Sequence, residues 1–398
     1  MNSTDPVILS AARTPFGRFG GAFCDLSAVE LGTVAARAAL ERAQIAPDDV
    51  DTAVFGQIYQ GGARMNPARQ VAMQTGVPSS VPAMTINQVC ASGLQAVALA
   101  GQAIRLGDAE VALAGGMESM SQAPYVLPTA RWGARLGHGR QVDTLLHDGL
   151  WDVFHDCHMA STAEHLAQEY GVTREAQDEF ALRSQRRYAA ALAACHFADE
   201  IVPVEVPQRR GEPRLIATDE HPRPDTTLDR LAQLRPAFDG GSTITAGNAA
   251  GINDGAAALI VAAPAWARQR GLTPLATLRA VKVVGVEPMR MGIGPVPAIR
   301  AVLAKTGLTL ADIDLLEVNE AFAAQVLTVE AELGWDRARV NVNGGAIAIG
   351  HPLGASGARV LSTLIFELHR RTADRGIAAL CVGGGMGIAA LVEREAAP

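Results

Sequence analysis

The sequence predicts an α/β protein of two similar layered halves with a loop domain inserted in the first, and three observations carry that expectation. Two stretches of the chain repeat one another's markers. Short apolar β-rich runs alternate with helical stretches in both. Between about 119 and 242 the texture changes to proline, histidine, arginine and long polar helices.

The repeat is clearest where Ala39-Leu40-Glu41-Arg42 through Asp49-Val50-Asp51 is laid on Val302-Leu303-Ala304-Lys305 through Asp312-Ile313-Asp314, each reading as helix, turn and incoming strand. Further on, Ala91-Ser92-Gly93 falls against Ala355-Ser356-Gly357, and Gly115-Gly116-Met117 against Gly384-Gly385-Met386. Markers held in nearly one register signal an internal duplication. Val111–Ala114 and Ile377–Val382 read as buried strands, with Leu94–Leu106 and Ala358–Arg370 as the helices packed on them. The excursion includes a polar helix over Arg174–Ala194. Gly255–Val261 then returns the chain to the first half as a fully buried strand. These limits divide the chain into a first half (1–118 and 243–271), a loop domain (119–242) and a second half (272–398).

At 398 residues and 48% hydrophobic the chain can bury a large core. A formal charge of −7 and a pI near 5.7 argue against nucleic acid as a partner, which a net basic footprint would accompany. The clusters Arg183–Arg187 and Arg209–Arg214 read as a solvated helix face and a charged loop. The five cysteines are widely spaced without a C-x-x-C pair, so neither a disulfide framework nor a zinc site is expected. No run suits a signal peptide or a membrane span, and the expected location is the cytoplasm.

The chemistry concentrates in four motifs. In Asn87-Gln88-Val89-Cys90-Ala91-Ser92-Gly93 a strand-like run meets a helix, which places Cys90 at a helix start where free N–H groups favour thiolate. A buried structural cysteine is the plain alternative. In Gly350-His351-Pro352-Leu353-Gly354-Ala355-Ser356-Gly357 a histidine sits on a rigid bend before a helix that the duplication relates to the one after Cys90. A pseudo-twofold brings the two helix starts together as a cysteine–histidine pair; a structural turn histidine is the alternative. In Cys381-Val382-Gly383-Gly384-Gly385 a strand ends in a second cysteine, and a glycine bend follows whose N–H groups can hold an oxyanion. In Glu317-Val318-Asn319-Glu320-Ala321-Phe322-Ala323 a strand delivers Asn319, suited to position a water or to cap the next helix. No glycine loop here matches a dinucleotide or P-loop fingerprint. The set suits a thiolate that accepts an acyl group from a thioester and a second thioester that loses an α-proton and attacks the acyl-cysteine.

From end to end the chain resembles the thiolase family, whose motifs N-x-x-C-x-S-G, N-E-A-F-A, G-H-P-x-G-x-S-G and C-x-G-G-G-x-G stand here in the family's order. The resemblance implies a duplicated five-layer α/β/α/β/α fold with an inserted loop domain. It makes Cys90 the acylated nucleophile, His351 the base that activates it and Cys381 the acid/base for the second acetyl-CoA. Asn319 would hold a water that stabilises the enolate oxygen with His351. The N–H groups of Cys90 and Gly383 would form the oxyanion hole. Within the family, Cys157-His158-Met159-Ala160-Ser161-Thr162-Ala163-Glu164 is similar to the loop of acetoacetyl-CoA-type enzymes. His158 and Met159 would then line a short acyl pocket, and Leu150, Met291, Ala321 and Phe322 match further positions near the pantetheine or acyl group. Arg223, Phe238 and Ala246 match positions flanking the nucleotide and pantetheine. Ala160 and Ala250 depart from the family's usual glycine and serine, which costs one pantetheine hydrogen bond of about 0.5–1.5 kcal/mol at Ala250.

By the same resemblance, coenzyme A thioesters are the substrates, with no tightly bound cofactor and no metal. Arg131–Gly137 resembles the loop through which short-chain members form homotetramers. Three other readings stay open beside condensation of acetyl-CoA to acetoacetyl-CoA. They are degradation of longer-chain or dicarboxylic 3-ketoacyl-CoA, non-catalytic acyl-CoA or lipid binding, and 3-ketoacyl synthesis on carrier-protein thioesters. The second cysteine in the C-terminal glycine bend favours a thiolase over that last one.

Overall fold

A strand covered on both faces loses the polar alternation of a half-exposed sheet and becomes a continuous apolar run. The computed structural model, which describes residues 4–395 apart from Ala134 and Asp239, has such strands at the centre of both halves. In chain order the first half contains β1 (Val7–Arg13), α1 (Ala28–Ala43), β2 (Thr52–Gly56), α2 (Pro67–Gln74), β3 (Ala83–Ile86), α3 (Ser92–Leu106) and β4 (Val111–Ser119). An excursion with α4 (Met159–Tyr170) and α5 (Arg174–Ala193) precedes the return strand β5 (Asn253–Ala262). The second half contains β6 (Ala276–Gly285), α6 (Pro295–Thr306), β7 (Leu315–Val318), α7 (Ala323–Leu333), α8 (Leu353–Arg371), β8 (Arg375–Val382) and β9 (Met386–Arg394).

These strands form one hydrogen-bonded path, β7-β8-β9-β6-β1-β5-β4-β2-β3. The order β3-β2-β4-β5-β1 of the first half is repeated by β7-β8-β9-β6 in the second, where a lone parallel bridge from Leu316 to Val340 takes the place of β3. The halves join at a narrow seam between β1 and β6, with Val7 opposite Thr277 and Ile8 opposite Ala276. The duplication extends to single hydrogen bonds. Asp51 accepts the N–H groups of Glu110 and Val111 at the start of β4, and Asp314 accepts those of Asp374 and Arg375 at the start of β8.

Alternate residues of each central strand face different layers. Along β5, Ala256, Ala258 and Ile260 pack outward with α1, while Ala257, Leu259 and Val261 pack inward with α3 and α8. Along β8, Ile377 and Ala379 pack outward with α6 and α7, while Ala378, Leu380 and Val382 join the same inner layer. Helices α3 and α8 therefore lie between the two halves of the sheet, and the outer helices complete the α/β/α/β/α order. The stretch Val89–Leu106 is apolar and long enough by composition to cross a membrane, and this central position accounts for it.

Glycines let the two central helices touch. A Cβ added at Gly93 would lie 2.8 Å from the N of Ala358, and one at Gly357 would lie 2.4 Å from the N of Leu94. Helix α8 starts at Leu353, ahead of the expected Ala358, because Gly354 and Gly357 are used for close approach despite their poor helix propensity. Strand β4 likewise runs on through Gly115 and Gly116 to Ser119, so Gly115-Gly116-Met117 are equivalent to Ala379-Leu380-Cys381 inside β8, and the expected match with Gly384-Gly385-Met386, which follow β8, does not hold.

The chain leaves the sheet at Ser119 and re-enters opposite it at Asp254. Glu164 on α4 holds the returning segment by accepting the N–H groups of Ser242, Thr243 and Ile244. The basic cluster on α5 is not merely solvated. Arg187 is half-buried and donates to the carbonyls of Val340 and Asn341, and Arg183 lies over the Phe180 ring.

Candidate active site

Cys90 occupies a tight turn two residues ahead of the first residue of α3. Val89 carries φ +48°, a left-handed conformation costing a β-branched residue on the order of 1–3 kcal/mol. Hydrogen bonds hold the turn. Asn87 Oδ1 accepts the Val89 N–H at 2.9 Å, while Ser92 Oγ accepts the Gln88 N–H at 2.8 Å and donates to the Val89 carbonyl at 2.7 Å. Burial pushes the Cys90 thiol up to about 11, against the pull of the Gly383 N–H and its own. This corrects the expectation that the helix start favours thiolate: desolvation outweighs the local N–H groups, and the resting group is a thiol.

His351 comes from the equivalent turn of the second half. Gly350 has φ +110°, and a Cβ there would meet the Asn253 side chain at 2.4 Å, so the bend requires glycine twice over. Asn253 Oδ1 accepts the His351 N–H at 3.0 Å, fixing the backbone. Ser356 Oγ, which donates to the Pro352 carbonyl at 2.8 Å, lies 2.6 Å from His351 Nδ1. With its proton committed to Pro352, the hydroxyl accepts from Nδ1–H. That assigns the tautomer and leaves the Nε2 lone pair free as a base. Asn319, just past β7, sets Nδ2 over the face of the ring, 3.3 Å from Nε2 and 3.5 Å from Nδ1, and so leaves the in-plane Nε2 lone pair open. Burial, followed by the charge of Arg359, pushes the imidazole down to about 3. It is neutral at rest.

Cys381 sits one residue before the end of β8 and is buried among Met159, Met291 and Ala321, with Phe322 against them. Burial, and then the neighbouring Cys90, raises its thiol well above the ordinary range. The strand ends in a turn that needs left-handed backbone at Gly384 (φ +80°) and Gly385 (φ +83°), and this turn brings the Gly383 N–H to Cys90.

A cavity of about 510 Å³ joins these groups. Cys90, His351, Cys381 and Gly383 line it, as do Leu150, His158, Met159, Arg223, Ala246, Ala250, Met291, Ala321 and Phe322. Two of the expected residues are not on its wall. Asn319 is buried behind His351, and Phe238 stacks on the His158 ring with centroids 6.4 Å apart. His158 Nδ1 also accepts the Ala160 N–H at 3.0 Å and so caps α4. Ala250 donates its N–H to the Ala321 carbonyl at 2.9 Å, which ties the 248–250 loop to the segment after β7.

Sequence reasoning missed His221, Arg18 and Phe19, which also line the cavity. His221 packs against Gly251, where a Cβ would lie 2.2 Å from its ring, and burial, then Arg223, pushes it down to about 4. None of the three lies in a motif, and only the returning loop brings them to the site. Glu118 was also missed. It is fully buried and accepts the N–H groups of Ile58, Tyr59 and Gly354, stapling the loop after β2 to the start of α8.

Residues 6–265 match the thiolase N-terminal domain and residues 272–394 the thiolase C-terminal domain. An acetyl-CoA acetyltransferase of Cupriavidus necator is 55% identical over 98% of this chain and 100% of its own length. A probable acetyl-CoA acetyltransferase of Escherichia coli is 52% identical over 98% and 99%. Among solved structures, the Bacillus anthracis acetyl-CoA acetyltransferase superposes with a TM-score of 0.96 at 46% identity, covering 98% of this chain and 99% of that one. A human mitochondrial 3-ketoacyl-CoA thiolase in complex with CoA gives 0.95 at 44% identity, covering 98% of each. With two matched domains, these relatives and a paired-turn site between duplicated halves, the chain belongs to the thiolase family.

Proposed function

We propose that this protein is an acetyl-CoA C-acetyltransferase, joining two acetyl-CoA into acetoacetyl-CoA and CoA and running the reverse thiolysis. The observation that carries the proposal is the meeting of Cys90, His351, Cys381 and Gly383 on one cavity wall. In the first half-reaction His351 Nε2 takes the Cys90 proton as sulfur attacks the thioester. The N–H groups of Cys90 and Gly383 face the tetrahedral oxyanion, and one such donor contributes on the order of 3–4 kcal/mol in other systems. Cys381 gives its proton to the departing CoA thiolate. In the second, the Cys381 thiolate takes the α-proton of a new acetyl-CoA. The enolate oxygen is held by the His351 imidazolium and by a water on Asn319. The enolate carbon attacks acetyl-Cys90, and the released thiolate recovers its proton from His351. The Cys90 proton returns from His351, and the Cys381 proton that left on CoA is replaced by the α-proton, so the enzyme ends in its starting state.

The pantetheine and nucleotide follow the cavity past His158, Ala246 and Ala250 toward Phe238 and Arg223. The chemistry draws on side chains and backbone alone, with no tightly bound cofactor. We divide the chain as 1–118 with 243–271, 119–242 and 272–398, and place it in the cytoplasm.

Two variants test the roles. Cys90→Ser abolishes labelling by radiolabelled acetyl-CoA, and stoichiometric label at another residue overturns the assignment. Cys381→Ala still acylates at Cys90 and does not condense. Degradation of longer-chain substrates is the rival specificity, and faster thiolysis of a longer-chain than of the four-carbon substrate would decide for it.

A homotetramer of tight dimers completes the reading. Tyr125–Val126 pairs with Val142–Asp143 as the stem of a projecting loop, and Trp132 and Leu136 on it are 86% and 101% exposed. Ala134 in the same loop lies outside the described residues.

A further inference from the structure

Behind the site, and facing no substrate, a buried charged pair touches Asn319. Arg359 is fully buried on α8, and its Nη1 donates to Glu317 Oε1 at 2.8 Å. Its Nη2 donates to Asn319 Oδ1 at 3.4 Å, and its Nε has no partner among the described residues. A buried ion pair is weak evidence for stability, since apolar residues of equal volume often stabilise as well or better. An arginine left with an unsatisfied N–H fits a stabilising role poorly. Its geometry fits a second use well.

An amide has two ends of opposite character, and a rotation about its last bond exchanges them. At Asn319 the oxygen faces the guanidinium and Nδ2 faces His351, 3.3 Å from Nε2. Flipping the amide would set the Nδ2 donor against the Arg359 cation and the oxygen against the π face of the ring. Arg359 therefore excludes one of the two rotamers, and Glu317 keeps the guanidinium in place by a bond across β7 to α8. Ser356, which fixes the imidazole tautomer, stands three residues before Arg359 on the same helix face.

We propose that Arg359 and Glu317 are positioning residues for the condensation step, holding the Asn319 amide with its donor end toward His351 and the enolate oxygen. This rests on the roles assigned above to Asn319 and His351. Asn319 has its functional orientation before substrate arrives. Acyl transfer to Cys90, which uses Nε2 and the Gly383 N–H, does not depend on the amide.

The test compares Asn319→Ala, Arg359→Lys and the double variant Glu317→Gln/Arg359→Met, which leaves neither charge unpaired. All rates are normalised to sites acetylated at Cys90. The double variant is expected to acylate fully and to lose kcat for condensation by about 10–100-fold, with KM for acetyl-CoA within about threefold. A second readout is the alkaline limb of the condensation rate, where the imidazolium that holds the enolate oxygen loses its proton. The groups around His351 are Arg359 and Ser356 on α8, Asn319 and Glu317 at β7, Cys90 before α3 and Cys381 on β8. Removing the cation lets the imidazole hold its proton at higher pH, so the limb moves up in the double variant. Arg359→Lys keeps the charge without the planar fork, so it leaves the limb in place and condenses slowly. A double variant with lowered thermal stability but wild-type kcat per acylated site, with Asn319→Ala slow, overturns the positioning role alone. An Asn319→Ala that condenses at the wild-type rate overturns the Asn319 assignment and this inference with it.

Discussion

At the residue scale the site is built neutral. A half-buried thiol, a buried thiol and a buried imidazole all disfavour their charged forms, so charge is created only as protons pass between them during turnover. The consequence is measurable in the free protein. With the Cys90 thiol pushed up to about 11, the thiolate at neutral pH is on the order of one part in ten thousand. Alkylation of Cys90 by a small neutral reagent should rise about tenfold per pH unit from pH 7 to 10, because each unit raises the thiolate fraction by that factor. A rate that levels off near pH 7 would instead reveal a preformed thiolate–imidazolium pair. The four motifs were legible in the sequence because each sits on a turn whose glycines and small residues mark it. The protonation state was not, since it depends on how much protein covers the thiol, which no local pattern records. His221 and Glu118 were hidden for a related reason: each works through backbone distant in the chain.

At the element scale the decisive feature is the crossing of α3 and α8. The helix after Cys90 and the helix after His351 approach closely enough that Gly93 and Gly357 admit no side chain. Gly357→Val should therefore cost about 1–3 kcal/mol of stability, or more, by forcing the helices apart. It should also lower kcat, because the two turns that meet at the cavity ride on these helices; an unchanged urea midpoint and rate would refute this reading of the crossing. The duplication was visible in sequence because Asp51 with Asp314 and Ala91-Ser92-Gly93 with Ala355-Ser356-Gly357 stand at nearly one offset, and the small residues of the second pair mark this contact. The start of α8 was not, because Gly354 and Gly357 read locally as helix breakers while their packing role is tertiary.

At the scale of the whole molecule, the exposed apolar residues of the 125–143 excursion contrast with a thoroughly buried interior. Trp132 and Leu136 project where no contact within the chain covers them among the described residues. Surfaces of this kind mark association sites. Trp132→Asp with Leu136→Asp should convert the proposed tetramer to dimers by light scattering with the acylation stoichiometry retained. A tetramer that survives both changes, or a wild-type monomer, would refute the loop's role. The layered order followed from strands that are apolar on both faces, whereas the course of the excursion rests on contacts such as Glu164 with the 242–244 segment, which join residues far apart in sequence.

The seam between β1 and β6 is only two residue pairs wide, and the chemistry is divided across it. The first half carries Cys90, and the second carries His351, Asn319 and Cys381. During synthesis the nucleophile leaves the ribosome long before the base that will serve it, and until the second half docks it is an ordinary cysteine on an unfinished sheet. Reactivity thus arises with assembly. A chain cut in the linker between β5 and β6 should yield two fragments that are inert apart and acylate only when recombined.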